Sequence, residues 1–216
     1  MPANSDVALK RYRNYAKTYD SEQKRNSSAE TNRVRVIERL GLQSGDIVLD
    51  VGCGTGLNFA AIEAAIGPSG RMIGIDLSPN MLERASARVD GQGWTNVTLI
   101  ESAIDTAQID GSADAVLFCM THDILQTPTA LDNVFAHAKP GAHVASLGYK
   151  WAPWWTGPWN YFIWNFTRYA ITTRANFSKP WRALERFVPD LQVETMSLGS
   201  MYIAWGGTAT AVASDG

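Results

Sequence analysis

The sequence is poor in cysteine and has no long hydrophobic run. Cys53 and Cys119 are its two cysteines, which are too few for a disulfide framework and lack the spacing of a metal-binding set. The first twenty residues contain no continuous apolar stretch, so no secretory signal is expected. The aromatic-rich stretch 154–169 is interrupted by glycine, proline and polar residues, unlike a membrane span of about 20 apolar residues. We expect a cytoplasmic protein without a metal site.

An excess of charge of one sign is also absent. The 216 residues carry 19 lysines and arginines against 21 aspartates and glutamates, a net charge of −2. This balance does not favour a nucleic acid partner. We expect a small-molecule substrate and no nucleic acid, and the sequence leaves open a homodimer and peripheral contact with a membrane.

Short apolar runs alternate with amphipathic stretches through most of the chain. Alternating strands and helices are typical of a parallel sheet covered by helices on both faces. The pattern predicts strands at 47–51, 71–76, 97–101, 113–120, 143–148, 192–198 and 201–205, and helices at 34–40, 59–65, 80–89, 131–138 and 181–188.

A glycine cluster, Gly52-Cys53-Gly54-Thr55-Gly56, directly follows the first predicted strand. Glycines at such a strand end let the backbone turn tightly and approach a ligand closely, and ligands of open α/β sheets bind at this edge. Asp76 lies twenty residues past Gly56, at the tip of the next strand, where a carboxylate can accept hydrogen bonds from a ribose diol. The loop is one residue tighter than the dinucleotide pattern G-x-G-x-x-G and lacks the G-K-[ST] of a P-loop.

Two motifs carry a family resemblance. Residues 48–58, VLDVGCGTGLN, resemble the first motif of class I S-adenosylmethionine-dependent methyltransferases, and residues 74–82, GIDLSPNML, resemble their second-strand motif. The resemblance covers about residues 12–148 and is nearest to the ubiquinone/menaquinone-biosynthesis type and to phospholipid N-methyltransferases. It implies S-adenosyl-L-methionine as cofactor, S-adenosyl-L-homocysteine as product, and these cofactor-binding residues: Asp50, Gly52, Cys53, Gly54, Gly56, Asn58, Asp76, Leu77, Met81, Ser102, Ala103 and Ile104.

The resemblance also implies a role for several of these residues. The acid matching Asp50 orders the loop and holds the amino-acid end of the cofactor, the glycines pass close to methionine and ribose, and the acid matching Asp76 binds both ribose hydroxyls. An apolar side chain matching Leu77 or Met81 packs on adenine.

The third predicted strand departs from the family pattern. Glu101-Ser102-Ala103 stands where these families often have Gly-Asp-Ala, whose aspartate accepts from the adenine amino group. Ser102, or the backbone of Ala103 and Ile104, is expected to contact the adenine instead.

The tip of the fourth strand supplies the candidate catalytic residues, His122 and Asp123, with Thr121 as a substrate contact. In this fold that tip lies beside the transferred methyl group. Methyl transfer mainly requires alignment of the nucleophile and exclusion of water, with a general base only if the nucleophile arrives protonated. Histidine titrates near neutral pH and suits that task. Alternatively, His122 caps the strand, or Asp123 N-caps a short helix at 124–125.

The segments flanking the sheet are expected to cover the site. Residues 1–216 are read as one methyltransferase domain, with an N-terminal helical lid at 1–45 and an aromatic-rich insertion at 151–181 over the substrate site. Tyr15 and Tyr19 in the lid are candidate substrate contacts, although packing at helical spacing explains them equally well.

Six tryptophans fall within residues 151–181. They are interpreted as an apolar substrate pocket including Trp151, Trp154 and Trp155. The other interpretations are an aromatic cage for a methylated ammonium, an interfacial helix at a membrane surface, and a lid or dimer contact.

The predicted fold is therefore α/β, the Rossmann-like class I methyltransferase fold, with a mainly parallel seven-stranded sheet, helices on both faces and an antiparallel last strand. The predicted function is methyl transfer from S-adenosylmethionine to a small, apolar or amine-bearing acceptor. The alternatives are an NAD-dependent oxidoreductase and a non-catalytic S-adenosylmethionine-binding protein.

Overall fold

A computed structural model describes residues 27–168 and 171–210. Tyr15 and Tyr19 lie outside the described residues. The helices are α1 (Ser27–Leu40), α2 (Phe59–Ile66), α3 (Pro79–Gln92), α4 (His122–Leu125), α5 (Pro128–Ala136) and α6 (Trp159–Thr167), with 3₁₀ turns at Trp154–Thr156 and Pro180–Arg186. The strands are β1 (Ile47–Val51), β2 (Arg71–Asp76), β3 (Val97–Glu101), β4 (Ala113–Cys119), β5 (Ala138–Tyr149), β6 (Gln192–Met196) and β7 (Met201–Gly207).

The seven strands form one sheet in the order β3-β2-β1-β4-β5-β7-β6. Strands β1 to β5 are parallel, and β7 runs antiparallel to both of its neighbours, which confirms the predicted architecture. The chain order reverses between β1 and β4. The carboxyl ends of these two central strands therefore flank the crevice where open α/β sheets bind ligands.

The core consists of two apolar layers, one on each face of the sheet. On one face, α1, α2 and α3 supply Ile37, Phe59 and Leu82 among other buried side chains. On the opposite face, α5 and the second 3₁₀ turn supply Leu131 and Leu184. Because both faces are covered, the central strands can be apolar on both sides, as in residues 115–119 of β4.

Strand β5 begins five residues earlier than predicted, and the preceding helix ends at Ala136 rather than at residue 138. Residues 139–141, between the predicted helix and the predicted strand, therefore belong to β5. The register between β4 and β5 shifts between Ala113 and Ala115, and this irregularity accommodates the left-handed Gly141 at φ 78°. The Lys139 ammonium donates to Asp114 at 2.6 Å and fixes the extension to β4.

Helix α1 is the described part of the predicted lid. It packs across β4, β5 and β7. Arg39 donates to Glu194 of β6 at 3.1 Å, and its guanidinium lies 4.4 Å from the ring centroid of Trp205. Residues 27–40 of the predicted lid are thus part of the folded body of the domain. Within residues 27–168 and 171–210, no helix combines the length and hydrophobicity needed to cross a membrane.

Candidate functional site

The glycine loop turns through left-handed backbone at three positions. Gly52, Gly54 and Gly56 have φ of 72°, 57° and 74°, a region that L side chains rarely adopt. A Cβ on Gly52 would lie 2.6 Å from the Thr121 methyl group, and one on Gly56 would lie 2.6 Å from the ring of Phe59. A Cβ on Gly54 would meet no atom within 4 Å. Two glycines therefore serve close packing, whereas Gly54 borders open space.

Asp76 ties the loop to the end of β2. One carboxylate oxygen accepts from the backbone N–H of Gly54 at 2.9 Å, and the other accepts from Ser78 at 2.8 Å. Burial raises the pKa of Asp76, and these backbone hydrogen bonds oppose the rise. A carboxylate has about four acceptor positions, so capacity remains for two further donors such as a diol.

Asp50 is fully buried at the fourth position of β1. Both carboxylate oxygens accept from the Asn58 amide, at 3.3 and 3.1 Å. Burial raises the pKa of Asp50 to about 7; the Asp76 charge acts in the same direction, and the Asn58 hydrogen bonds and the Arg33 charge oppose it. A cationic group placed beside Asp50 would favour its ionised form.

Arg33 is a residue that the sequence analysis missed. It lies on α1 with 7% of its surface exposed, and its charge acts on both Asp50 and Cys119. The signal was its position: the buried stripe Val36, Ile37 and Leu40 continues backwards at helical spacing to residue 33. A cation on the buried face of an amphipathic helix indicates an acidic partner below it.

The other predicted cofactor residues lie around the ends of β1, β2 and β3. Cys53 is a free, buried thiol whose pKa burial raises well above its usual value. Leu77 is half-buried, and Met81, in the first turn of α3, is 2% exposed.

The end of β3 is fixed by backbone hydrogen bonds. The N–H of Ser102 donates to the carbonyl of Asp76 at 3.2 Å, and its hydroxyl donates to the carbonyl of Ala103 at 3.0 Å. The carbonyl of Ile104 accepts from Asn133 at 2.7 Å. The Ser102 side chain is thus bonded to its own loop.

The tip of β4 turns sharply into α4. Met120 has φ 61°, a left-handed conformation that costs a non-glycine residue about 1–2 kcal/mol. This turn places the Thr121 methyl group against Gly52 and leaves the buried Thr121 hydroxyl without a hydrogen-bond partner among the described residues. The glycine loop and the β4 tip are therefore in direct contact.

His122 opens α4 and is 7% exposed. Its ring packs edge-on against Phe177, with centroids 5.0 Å apart, and neither ring nitrogen has a hydrogen-bond partner in the described chain. Burial lowers the pKa of His122, while the Asp123 charge and nearby backbone of Thr173 and Ala175 oppose this change. Burial of the ring therefore favours the neutral imidazole.

Asp123 points into the insertion instead of capping a helix at 124–125. Its carboxylate accepts from the backbone N–H of Thr172 at 2.9 Å, from the Thr172 hydroxyl at 2.6 Å and from the N–H of Thr173 at 3.2 Å. Helix α4 itself begins two residues earlier than predicted, at His122. Asp123 therefore fastens the insertion to the tip of β4.

The predicted substrate tryptophans fall into two groups. Trp151 is half-buried and packs edge-on against Phe177 at 4.9 Å. The Arg174 guanidinium lies 5.4 Å from the Trp151 centroid and 5.5 Å from that of Phe177. Trp154 and Trp155 are 89% and 65% exposed and face solvent. Of the three, Trp151 is the one that lies near His122, through Phe177.

Buried polar atoms without a hydrogen-bond partner gather at one edge of the sheet. Of six such atoms in the described residues, five lie just after β1, β2 and β4: Asn58 Oδ1, Ser78 Oγ, Thr121 Oγ1 and both His122 ring nitrogens. Buried polar groups normally have partners, so a cluster of exceptions indicates a binding site. Together with the space beside Gly54, these atoms fit a polar, nucleoside-bearing cofactor.

Comparison with known proteins agrees with this geometry. Residues 48–141 match the family model described as a methyltransferase domain. A demethylmenaquinone methyltransferase of Lactococcus lactis is 33% identical over 119 residues, covering 53% of this chain and 46% of the relative. One from Staphylococcus aureus is 32% identical over 149 residues, covering 67% of this chain and 61% of the relative. The chain thus spans about half the length of the curated relatives it matches.

The fold has solved counterparts. A SAM-dependent methyltransferase from Aquifex aeolicus superposes with a TM-score of 0.60 and 22% sequence identity, over 82% of this chain and 89% of that one. This likeness supports the fold, and the family match supports the family predicted from the two motifs. Residues 48–141 of the chain therefore match a methyltransferase domain, on a fold shared with a solved SAM-dependent methyltransferase.

Proposed function

We propose that this protein transfers the methyl group of S-adenosylmethionine to a small apolar acceptor. The observation that carries the proposal is the cluster of unpartnered buried polar atoms between the glycine loop and the tip of β4. This cluster offers groups for both a cofactor and a proton transfer, which a turn without a ligand would not need. The methyltransferase match opposes the nicotinamide-dependent alternative.

The cofactor would lie along the glycine loop. Asp76 would accept from the ribose hydroxyls, Gly54 would let the backbone approach the ligand, and Asp50 would face the cationic amino-acid end. Leu77 and Met81 would supply the apolar contact for the base. When bound, S-adenosylmethionine supplies a methyl group on a sulfonium, which is already activated for displacement.

His122 would act as the general base. The acceptor nucleophile forms a bond to the methyl carbon, the carbon–sulfur bond breaks, and its electron pair stays on sulfur in S-adenosylhomocysteine. The proton lost by the acceptor would pass to a His122 ring nitrogen. Because burial lowers the pKa of His122, the base stays neutral through the physiological range. Asp123 would be a positioning residue, because its carboxylate is bonded to Thr172 and Thr173.

Two observations favour an apolar acceptor over a methylated ammonium. The aromatic faces nearest His122 that could form a cage, Trp151 and Phe177, already have the Arg174 guanidinium beside them. A second cation there would meet like charge. The relatives are named for demethylmenaquinone, a quinone, which makes that acceptor class the first to test.

The test is methyl transfer from labelled S-adenosylmethionine to reduced demethylmenaquinone in detergent micelles, followed by organic extraction. The reduced form is used because the nucleophile must be electron-rich. Label in the organic phase supports the proposal. Absence of transfer, with S-adenosylhomocysteine bound normally, would instead support a non-catalytic binding protein or another acceptor.

The base assignment is tested with His122→Gln. We expect turnover to fall at least about 100-fold, the lower end for loss of a general base, while S-adenosylhomocysteine affinity stays unchanged. His143→Gln, at an exposed position of β5, is the control and should retain wild-type turnover. In the wild type, the midpoint of the acidic limb of the pH–rate profile should lie below the usual pKa of histidine, because burial lowers the pKa of His122. An unchanged rate in His122→Gln would leave this residue a structural role.

A further inference from the structure

We propose that an exposed aromatic ledge on the insertion docks this protein onto the surface of an anionic phospholipid bilayer. The ledge consists of Trp154, Trp155, Trp159, Tyr161 and Phe162. The inference deepens the proposed function, on which it rests, because a bilayer is where an apolar acceptor dissolves.

The ledge is formed by large apolar side chains that face solvent. Trp154 is 89% exposed, Trp155 and Tyr161 are each 65% exposed, and Phe162 is 58% exposed. Neighbouring rings touch: the Trp159 and Phe162 centroids lie 5.9 Å apart, and those of Tyr161 and Phe162 lie 6.1 Å apart. Contiguous exposed apolar patches mark interaction sites in proteins.

The exposed face of helix α6 is unusual for a helix in contact with water. Its nine residues, WNYFIWNFT, contain no charged side chain. On the inward face of the helix, Ile163 and Thr167 are buried, and the Asn160 side chain forms hydrogen bonds with both the N–H and the carbonyl of Ala152. A surface helix normally places charged residues opposite its buried stripe. Here that face is aromatic, and Trp and Tyr favour the membrane–water boundary.

The chain segment that carries the ledge has a basic composition, which suits anionic headgroups. Residues 150–184 contain five lysines or arginines and no aspartate or glutamate, in a chain that totals 19 basic and 21 acidic residues. Among these cations, Lys179 and Arg182 are exposed, whereas Arg174 turns inward beside the rings of Trp151 and Phe177. The acidic excess of the chain is thus confined to the rest of the molecule. This separation favours a lipid surface of negative potential over an uncharged one.

The ledge belongs to the same edge of the sheet as the candidate site. The insertion follows β5, which runs parallel to β4, so the carboxyl ends of both strands lie at the same edge of the sheet. The Thr172 hydroxyl of the insertion donates a hydrogen bond to Asp123 at the tip of β4, and Phe177 of the insertion packs on His122. An acceptor leaving the bilayer at the ledge would therefore enter beside the proposed base without crossing bulk water.

The experiment is sedimentation of the full chain with vesicles of phosphatidylcholine containing about 30% phosphatidylglycerol, compared with pure phosphatidylcholine vesicles. We expect binding that depends on phosphatidylglycerol and weakens with salt. Lys179→Gln with Arg182→Gln should weaken it about 25-fold, since each basic residue near an anionic surface contributes about fivefold. Tyr161→Gln with Phe162→Gln should weaken it at least about tenfold on both vesicle types.

The matched control is Val34→Ser with Val193→Ser, which removes two apolar side chains exposed elsewhere, at 46% and 38%. This variant should bind vesicles as the wild type does. Each variant should also bind S-adenosylhomocysteine with unchanged affinity, which shows that it is folded.

Three outcomes would overturn the inference. They are wild-type protein that stays in the supernatant with phosphatidylglycerol vesicles, a Tyr161/Phe162 variant that binds like the wild type, and a dimer in light scattering that this variant abolishes. The last outcome would assign the ledge to a second copy of the chain. Failure of the proposed function is distinguishable, because it removes transfer in micelles and leaves vesicle binding intact.

Discussion

Replacing Asp50 with asparagine tests the electrostatics of the buried site. Burial raises the pKa of Asp50 to about 7 from 3.8, so the folded protein keeps this proton to a higher pH than the unfolded chain does. Between these two values, the unfolded carboxyl is ionised while the folded one is protonated. Each pH unit there lowers the free energy of unfolding by about 1.4 kcal/mol. From about pH 5 to pH 7 the free energy of unfolding falls by about 3 kcal/mol. Above about pH 7 it falls no further, because Asp50 is then ionised in the folded protein as well.

Asp50→Asn has no such proton to lose. Relative to the wild type, its free energy of unfolding should rise by about 3 kcal/mol between about pH 5 and pH 8. Near pH 5 the variant should be about 1 kcal/mol less stable, because the new amide keeps only one of the two contacts with Asn58. Urea unfolding of the cofactor-free protein, followed by circular dichroism at both pH values, measures the difference.

Asp110→Asn is the control for this measurement. Its side chain is 92% exposed, so the variant should follow the wild type at both pH values. If the stability difference between Asp50→Asn and the wild type is the same near pH 5 and near pH 8, the raised pKa of Asp50 is refuted.

Two further predictions concern the cofactor. Asp76→Asn should weaken S-adenosylhomocysteine binding by about 1–3 kcal/mol in calorimetry, through loss of charge-assisted hydrogen bonds, while Glu101→Gln on the neighbouring strand should leave it unchanged; equal losses in both variants would contradict the ribose role. Gly54→Ala should cost about 1 kcal/mol of stability because φ is 57°, yet weaken binding more than about tenfold, because its Cβ enters space that no protein atom occupies within 4 Å. Retained affinity in Gly54→Ala would place the ligand elsewhere.

The sequence predicted the sheet well because its signals are local. Strands β1, β2 and β3 have the predicted bounds, since short apolar runs between turn residues suit buried strands and little else. The glycine loop was equally readable, because left-handed backbone there requires glycine. In the aromatic segment, the bounds of helix α6 were not predicted, because Trp, Tyr and Phe favour strands by composition and its described buried residues are Ile163 and Thr167.

Parts of the site could not be read because their partners are distant in sequence. Asp123 bonds to Thr172, 49 residues away, and a short acidic residue before a helix is normally interpreted as a cap. Arg33 meets Asp50 because α1 crosses the sheet, a packing that no local pattern encodes. Likewise, composition favoured Trp154 and Trp155 as pocket walls, and only the three-dimensional structure shows that they face solvent.

The small core of the insertion has a consequence for how this protein can diversify. Ala152, Ile163 and Phe177 form a small buried cluster of their own, whereas Trp181 at the end of the insertion packs into one of the two large layers that cover the sheet. Substitutions in the insertion therefore leave most of the scaffold intact, just as surface loops vary more freely than the elements they connect. The groups proposed for the cofactor lie mainly after β1, β2 and β3, on the other side of the crevice. Under the proposed function, acceptor choice would drift by mutation of this one segment while the residues proposed for the methyl donor stay fixed.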